Sequence, residues 1–512
     1  MDELLMQVEK LQVFSQFWMT LFLLVPLVLI ARLVVSGTRY SAILFVVIFG
    51  LGMGHLLVVS GVATPGLPEF HMLDLISRTT IIPLTASFFV GGQELRRVFG
   101  KKTVPPDTLM MPSLEEVAVG TTRTQITYIA CTFFLLLGIE TLSRLILGTQ
   151  ASILSGYYSL LAYVGVICSI VLIDYKATIQ NKKLYVKKGV LETVMIVIIM
   201  IASFNIAGAI RETIALPQIF FAMLMTCTLG AIFYKWQLGA TLKALLFAGL
   251  PMVLGANFMI GGSRFGGVFD VAGMNSVLAF GFFGQVVWMF GGIALIMFFG
   301  KTDHVRNLAP GLAGGLSHAG LTGACTAGDL GAQAAGRAPI MINIPFTAHV
   351  FVFSILAISA AQGHLFMVPA IVVLVGGILL TAWSLKTLRV SNGEEGKEIR
   401  GLMKFSLGWQ LTAIFGSFVL LSVFGMNFYH VAVSATSSLS HFGLFAATQG
   451  GMFGPEVAAL LPLIFAMPFL VHPFVFFFFG AAMANDGHMP KKPVYLVALI
   501  GVVGVAFSIF LI

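Results

Sequence analysis

The sequence predicts an all-α polytopic membrane protein with about 14 transmembrane helices and two re-entrant hairpins, whose C-terminal half is an inverted repeat. The first supporting observation is composition. Hydrophobic residues make up 58% of the chain and charged residues 10%, and the mean hydropathy is +0.98. Soluble domains have roughly 45–50% apolar and about 25% charged residues. Because the bilayer core offers no water to backbone groups, chains this apolar cross it as helices of about 20 residues.

The second observation is an internal duplication. The segment LSHAGLTGACTAGDLG, which starts at Leu316, returns as LSHFGLFAATQGGMFG from Leu439. An offset of 125 residues pairs Gln285 with Gln410 upstream of these segments. Apolar composition alone would not repeat polar residues in register, so the block is a duplication. An offset of 123 residues pairs histidines and prolines without a gap: His318 with His441, Pro345 with Pro468, and His349 with His472.

The apolar stretches give the order of the predicted elements. Residues 1–265 form an N-terminal helical membrane region, interpreted as a scaffold, with spans at 14–36, 41–62, 72–92, 125–147, 152–173, 190–209, 217–234 and 241–260. The first copy, 271–390, has spans at 271–299, 339–361 and 366–387 and a hairpin at 308–333. The second copy, 400–512, has spans at 404–425, 458–484 and 492–512 and a hairpin at 429–454. Polar connections are predicted at 93–124, 174–189 and 388–403.

Charge in the short loops indicates whether the small-residue segments cross the membrane. Lysine and arginine accumulate in cytoplasmic loops. If these segments crossed, the basic residues of 388–403 would face outward, whereas re-entry returns them, and Lys491 and Lys492, to the cytoplasmic side. The sequence therefore predicts re-entry and an inverted repeat. For the same reason, the formal charge of +8 indicates topology and not nucleic-acid binding.

Both small-residue segments carry polar groups at membrane depth. Residues 311–331 are interrupted by glycines and contain histidine, threonine and aspartate. Backbone that is not helical persists at this depth only when it is buried in protein or lines a wet cavity. Broken elements at matching positions of two inverted halves form the binding sites of many secondary transporters. The two hairpins are therefore the predicted site.

The segments APGLAGGLSHAGLTGACTAG and VSATSSLSHFGLFAATQGG resemble the paired glycine-rich re-entrant hairpins of sodium-coupled glutamate symporters and their relatives in the ion transporter superfamily. The phrase IIPLTASFFVGGQELRR, at 81–97, is similar to the end of an early helix in that superfamily. The resemblance implies a transport mechanism in which the two hairpins form the site.

The histidines of the repeat have two interpretations each. His318 and His441 head the hairpins, where they either bind solute or protons or hold the hairpin backbone. His349 and His472 follow prolines by four residues, so each either binds a ligand or satisfies a carbonyl near the proline.

Asp329 and Arg337 distinguish the copies, because Met452 and Leu460 occupy the matching positions. Asp329 is a candidate sodium ligand, since hard cations prefer oxygen, and Arg337 is a candidate clamp for a carboxylate. Alternatively, the two charges neutralise each other. The candidate solute- and ion-binding residues are Ser317, His318, Thr322, Thr326, Asp329, Arg337, Asn343, His349, Ser440, His441, Thr448, Gln449, Glu456 and His472.

Three functional hypotheses are compatible with this architecture. The first is a secondary active transporter that moves a small anionic solute, coupled to sodium or protons, with the site between the hairpins. The alternative is a membrane electron-transfer protein that binds haem b through paired histidines. A channel with the hairpins as its filter ranks third.

The sequence also sets expectations for cofactors, partners and location. The four cysteines lack CxxC spacing, so they predict neither a disulfide framework nor a zinc knuckle. We expect no enzymatic activity, no cofactor other than sodium as a coupling ion, and no nucleic-acid partner. The expected setting is the bacterial inner membrane, in a lipid bilayer, with a homodimer as the oligomeric hypothesis.

Overall fold

The computed structural model describes residues 42–70, 218–234, 250–266, 274–316, 348–435 and 454–511, and single residues or short stretches between 15 and 40, 73 and 96, 198 and 210, and 330 and 345. The predicted spans 125–147 and 152–173 lie outside the described residues, as do the central parts of both predicted hairpins. The duplicated block is the part of the chain that is described most fully.

The described residues form α-helices. A 3-10 turn, Pro68–Phe70, follows the first helix, and the turn Val287–Gly291 inside the fourth is π-helical. Within the described residues no β-strand occurs, and His304 and His488 form an isolated antiparallel bridge. The helices are α1 (Ala42–Val59), α2 (Gln218–Ile232), α3 (Leu250–Ser263), α4 (Met274–Phe299), α5 (Val305–Leu316), α6 (Ala348–Gln362), α7 (Met367–Arg389), α8 (Glu395–Val423), α9 (Phe428–Ala435), α10 (Gly454–Ala484) and α11 (Lys491–Phe510).

Five of these helices, α1, α4, α7, α8 and α11, are long and apolar enough to cross a membrane. The length and composition of these helices confirm the prediction of an all-α integral membrane protein. The buried share of the apolar segment of each helix shows which helices lie inside the block. This share is 61% in α8 but only 28% in α7 and 22% in α11. Helix α8 therefore lies inside the block, whereas α7 and α11 present exposed apolar side chains at its surface.

Glycines bring α7 and α8 into close antiparallel contact. A Cβ on Gly377 would lie 2.8 Å from the backbone nitrogen of Thr412, and a Cβ on Gly408 would lie 2.7 Å from that of Thr381. Small residues allow this approach, which supplies the packing attraction between helices in lipid. Each threonine hydroxyl donates to the glycine carbonyl four residues earlier on its own helix, at 2.8 Å.

Helices α4 and α11 pair in the same manner. A Cβ on Gly501 would meet Val286 and Val287, and one on Gly504 would meet Phe283. The contacts run in opposite order along the two helices, so α4 and α11 are antiparallel. In both pairs, the first span of one copy packs against the last span of the other.

One end of the block, named the Lys491 end, is defined by contacts between helix termini. A Cβ on Gly300, just after α4, would lie 3.4 Å from Leu388 near the end of α7. Gly401, in the second turn of α8, also packs against Leu388. Asp303 pairs with Lys491 at the start of α11, at 2.9 Å. Helices α4, α7 and α10 finish at this end, and α8 and α11 begin there.

The opposite end, named the Met274 end, has its own buried cluster. Met274 at the start of α4, Leu365 after α6 and Met426 after α8 all belong to it. Helices α4 and α7 begin at this end, and α6 and α8 finish there. Consequently α4 and α8 run in opposite directions, as do α7 and α11, and α6 and α10.

Helices α4 and α8 cross at a pair of tryptophans. The rings of Trp288 and Trp409 meet edge to face with centroids 5.6 Å apart. The indole nitrogen of Trp409 donates to the carbonyl of Trp288, inside the π turn, at 2.7 Å. The Trp409 ring also fills the space beside Gly292 that a Cβ would occupy. This crossing lies near the middle of both helices.

The described N-terminal residues pack against the second copy and share one buried core with the duplicated block. Gly54 of α1 lies against the backbone of Met259 in α3, a contact that a side chain at this glycine would block. Tyr40 stacks on Phe477 of α10 with ring centroids 5.6 Å apart, and its ring covers Gly480. The scaffold role of residues 1–265 stays a prediction.

The start of α8 corrects one sequence prediction. Residues 388–403 were assigned to a polar connection, but α8 begins at Glu395. Glutamates at a helix N-terminus are stabilised by the helix dipole, so polar sequence there does not exclude helix. The turn itself is short, with positive φ angles at Asn392 and Gly393.

The separation of the two ends predicts a labelling pattern. Helix α7, with 23 residues, rises by about 35 Å, enough for a hydrocarbon core of about 30 Å. In a cysteine-free background, Gln362→Cys should therefore react with a membrane-impermeant maleimide from one side, and Lys397→Cys and Lys492→Cys from the other. Reaction of all three from the same side would contradict the arrangement of helix ends.

Candidate functional site

The structure describes four of the candidate site residues. His349 is the second residue of α6 and Glu456 lies in the first turn of α10, and both are described by their backbone alone. Arg337 and His472 are described with their side chains. The other candidates lie outside the described residues: Ser317, His318, Thr322, Thr326, Asp329, Asn343, Ser440, His441, Thr448 and Gln449.

Arg337 belongs to a buried cluster at the Lys491 end. Its side chain is 8% exposed, and its Nη1 donates to Oδ1 of Asn307 and lies 3.5 Å from Oε2 of Glu398. Its Nη2 lies 3.4 Å from Oε1 of Glu395. Asn307 donates in turn to the hydroxyl of Thr302, at 2.9 Å. Because a buried ion pair is stable only when its remaining hydrogen bonds are also satisfied, Asn307 completes the cluster.

The cluster adds a partner that sequence analysis did not consider. Arg337 was expected to clamp an anionic solute or to neutralise Asp329. The described partners are instead Glu398 and Glu395 of α8, and Asp329 lies outside the described residues. The solute-clamp hypothesis remains a prediction. The missed signal was the acidic pair spaced by three residues, which places both carboxylates on one face of a helix start.

His472 is buried in α10, 2% exposed. Its Nδ1 lies 3.1 Å from the carbonyl oxygen of Pro468, one turn earlier on the same helix. This is the type of contact that the structural interpretation of the histidine expects. The ligand-binding interpretation of His472 remains a prediction.

A second polar group, named the Asp303 bridge, joins the turn between α4 and α5 to the turn between α10 and α11. Its backbone part consists of hydrogen bonds from Val305 to Gly487 at 2.8 Å and from Met489 to Asp303 at 2.9 Å. Its side-chain part consists of Asp303 with His488 and with Lys491, both at 2.9 Å. His488 is exposed, yet its contact with Asp303 helps to close this bridge.

In the turn between α4 and α5, the pKa values of Asp303 and of the neighbouring His304 are shifted. Burial by itself would raise the pKa of Asp303, but the hydrogen bonds and charges of Lys491 and His488 outweigh it, so the pKa lies below its usual value. Burial lowers the pKa of His304, and the positive charges of Arg306, His488 and Arg337 lower it further, against a smaller opposing effect of Asp303. The Nδ1 of His304 accepts a hydrogen bond from the backbone N–H of Arg306, at 3.2 Å, which also requires an unprotonated nitrogen.

No cluster of three or more histidine, cysteine or acidic side chains capable of holding a metal ion occurs within the described residues. No family model, curated protein or solved structure matches this chain. The functional interpretation is therefore built on the geometry of the duplicated block and on the sequence.

The buried cluster predicts unequal effects for its two glutamates. Glu398→Gln should lower the free energy of unfolding by roughly 3 kcal/mol, because it leaves the buried Arg337 charge without its buried partner. Glu395→Gln should cost less than about 1 kcal/mol, because Glu395 is 59% exposed and its pairing is screened by water. Thermal or denaturant unfolding of the purified variants measures the difference. Equal losses would contradict the assignment of Glu398 as the main partner.

The Asp303 bridge predicts a pH dependence. A histidine whose pKa is lowered in the folded state is protonated more readily in the unfolded chain, so stability falls as the pH drops below the ordinary value of 6.5. We expect the Tm of the wild type to decrease between pH 7.5 and 5.5, and the decrease to be smaller in His304→Asn. Asparagine retains an acceptor for the Arg306 N–H but does not titrate. Identical decreases in the two proteins would show that His304 is not responsible.

Proposed function

We propose that this protein is a secondary active transporter that moves a small anionic solute across the membrane, coupled to sodium or protons. The solute site lies between two re-entrant hairpins, 308–333 and 429–454, of an inverted repeat. The full topology has about 14 spans, in the bacterial inner membrane. The observation that carries the proposal is the opposite direction of matching helices in the two copies.

Three pairs of helices support the inverted repeat. The first spans α4 and α8, the proline-bearing segments α6 and α10, and the last spans α7 and α11 each have opposite directions. A parallel duplication would give matching helices the same direction. Opposite orientation of two halves is the arrangement from which alternating access arises in many transporters, because each half can gate one side.

Contacts at the Lys491 end support re-entry of the first hairpin. Asn307 lies in the first turn of α5, where the chain enters the block, and Arg337 lies after the predicted hairpin. Their side chains are hydrogen-bonded to each other. A segment whose two ends meet in this way enters and leaves at one end of the block. The chain then continues through α6 to the Met274 end.

Helix length supports re-entry of the second hairpin. Helix α9 begins at Phe428, in the buried cluster of the Met274 end. Helix α10 has 31 residues, rises by about 46 Å and finishes at the Lys491 end, so it starts near the Met274 end. The hairpin would then enter and leave at the end opposite to that of the first.

The chemistry of the proposed site follows from broken backbone at membrane depth. Free N–H groups at helix ends favour an anionic solute, whereas unwound carbonyls and the oxygens of Asp329, Thr322 and Thr326 favour a cation. In this proposal, His318 and His441 bind solute or protons from opposite sides. Closure of one hairpin while the other opens would couple the two ligands.

The proposal predicts that the hairpin histidines are needed for transport. His318→Ala and His441→Ala should each abolish uptake of the transported acid into proteoliposomes, screened with radiolabelled acetate, succinate and glutamate under sodium and proton gradients. Expression should stay near normal, since an unsatisfied buried partner costs roughly 1–3 kcal/mol. The exposed His364, whose Nδ1 lies 3.0 Å from the carbonyl oxygen of Gln362, provides the control His364→Ala, with uptake unchanged.

Two outcomes would contradict this assignment. Loss of folded protein in both variants, in place of loss of uptake, would favour the structural role of these histidines. A Soret band in the absorption spectrum of the purified protein would favour the haem-binding alternative.

A further inference from the structure

Two glutamines inside the duplicated block have no hydrogen-bond partner among the residues that the structure describes. Gln285 of α4 and Gln410 of α8 are both 0% exposed. Within the described part of the chain, neither the Nε2 nor the Oε1 atom of either side chain has a hydrogen-bond partner. Buried polar groups are paired in the great majority of folded proteins, so two fully unpaired amides require an explanation.

The two amides occupy matching positions of the repeat, at the offset of 125 residues. An isolated packing defect would have no reason to recur at the equivalent position of the other copy. Their neighbours behave differently: Ser406, four residues before Gln410, donates to the carbonyl of Met341 at 3.0 Å. Polar residues on the same helix are therefore paired where the protein supplies a partner.

Both glutamines lie near the middle of their helices. Gln285 is the twelfth of 26 residues in α4, and Gln410 is the sixteenth of 29 in α8. Each lies within about one turn of the crossing formed by Trp288 and Trp409, since Gln285 precedes Trp288 by three residues and Gln410 follows Trp409 directly. Because α4 and α8 run in opposite directions, Gln285 before the crossing and Gln410 after it both lie on its Met274 side.

Gln285 lies beside the proline-bearing helix of the second copy. A Cβ on Gly281 would contact Met467 and Pro468 of α10, and nine residues later Phe290 meets Phe478 with ring centroids 5.0 Å apart. Helices α4 and α10 are therefore parallel and in register. Gln285 consequently lies at the level just beyond Pro468 along α10.

The backbone next to Gln285 is also unusual. The π turn Val287–Gly291 begins two residues later, and π turns in α-helices are frequently found at functional sites. The buried Nε1 of Trp288, within that turn, is a third polar atom without a hydrogen-bond partner in the described part of the chain. Three groups without a described hydrogen-bond partner thus lie within about one turn of one helix crossing.

The hydrogen-bonding capacity of these groups indicates what kind of ligand they fit. Two amides and one indole present five N–H donors in total but only two carbonyl oxygens. A cation of the hard type needs about six or more oxygen ligands, which two carbonyls do not provide. An acceptor-rich group, such as a carboxylate, matches the surplus of donors.

We propose that Gln285, Gln410 and the indole N–H of Trp288 are solute-binding groups that hold the carboxylate of a small organic acid through uncharged donors. This inference rests on the proposed transport function and adds the ligand class and three residues of its site. Arg337 is engaged with glutamates at the Lys491 end, so recognition of the anion at mid-depth relies on neutral groups. An uncharged site can be emptied without leaving a buried charge unpaired.

The first test uses the ligand-free protein and separates binding residues from structural ones. Methionine has nearly the shape of glutamine without its polar groups, so Gln285→Met and Gln410→Met should each raise the Tm of the purified protein by a few degrees. Ser406→Ala, which removes a paired polar group on the same helix, should lower it. A decrease in Tm for both methionine variants would show that the amides have structural partners and would overturn the proposal.

The second test measures binding separately from transport. The Tm of the wild type is compared in sodium acetate, sodium succinate and sodium chloride at equal sodium concentration and ionic strength. At least one carboxylate should raise the Tm above its value in chloride, and the rise should be lost in Gln285→Met and Gln410→Met but kept in Ser406→Ala. Absence of any carboxylate effect on the wild type, or its retention in both methionine variants, would overturn the proposal.

These outcomes are distinguishable from failure of the proposed function. Carboxylate binding that depends on both glutamines, in a protein that shows no uptake, would support this site and contradict transport. Uptake that persists in both methionine variants would support transport and contradict this site.

Discussion

Inside this helical block a buried polar group has no water to bond, and most of the described architecture follows from how each such group finds a partner. The hydroxyls of Thr381 and Thr412 turn back to carbonyls of their own helices, and the Trp409 indole bonds a carbonyl of the helix it crosses. Arg337, the most costly of these groups, is enclosed by two glutamates and Asn307. Against this background, the unpaired amides of Gln285 and Gln410 mark a place where the partner is expected to come from outside the chain.

Close approach of helices is the second requirement, because lipid chains are as apolar as leucine and give no hydrophobic drive for helices to associate. Glycines at the contact points of α7 with α8, and of α4 with α11, allow backbone-level packing there. The same pairing of a first span with the last span of the other copy therefore occurs twice. This arrangement holds α8 in the interior and leaves α7 and α11 largely exposed.

The two copies share the order of their helices but differ in the polar residues near the helix ends. The first copy has Arg337, which bonds to α8 of the second copy, whereas the matching position of the second copy is Leu460. The Asp303 bridge likewise joins the turn after α4 to the turn before α11. Such contacts between copies would resist relative movement at the Lys491 end, so a transporter built on this block would move most readily where they are absent. Because the pKa of His304 is lowered in the folded protein, we expect the stability of the bridge to fall in acid.

Hydropathy and the duplication were sufficient to predict an all-α membrane protein and the approximate positions of α1, α4, α7, α8 and α11. The length of an apolar run is a local property of the sequence, and the thickness of the bilayer sets the length that a spanning helix needs. The start of α8 was predicted wrongly, because Glu395 and Glu398 look like loop residues until Arg337 is known to lie against them. The sequence also paired Gln285 with Gln410, yet it contained no sign that both amides are buried and unbonded. Burial and hydrogen bonding depend on contacts between residues far apart in the chain, so only the tertiary structure decided them.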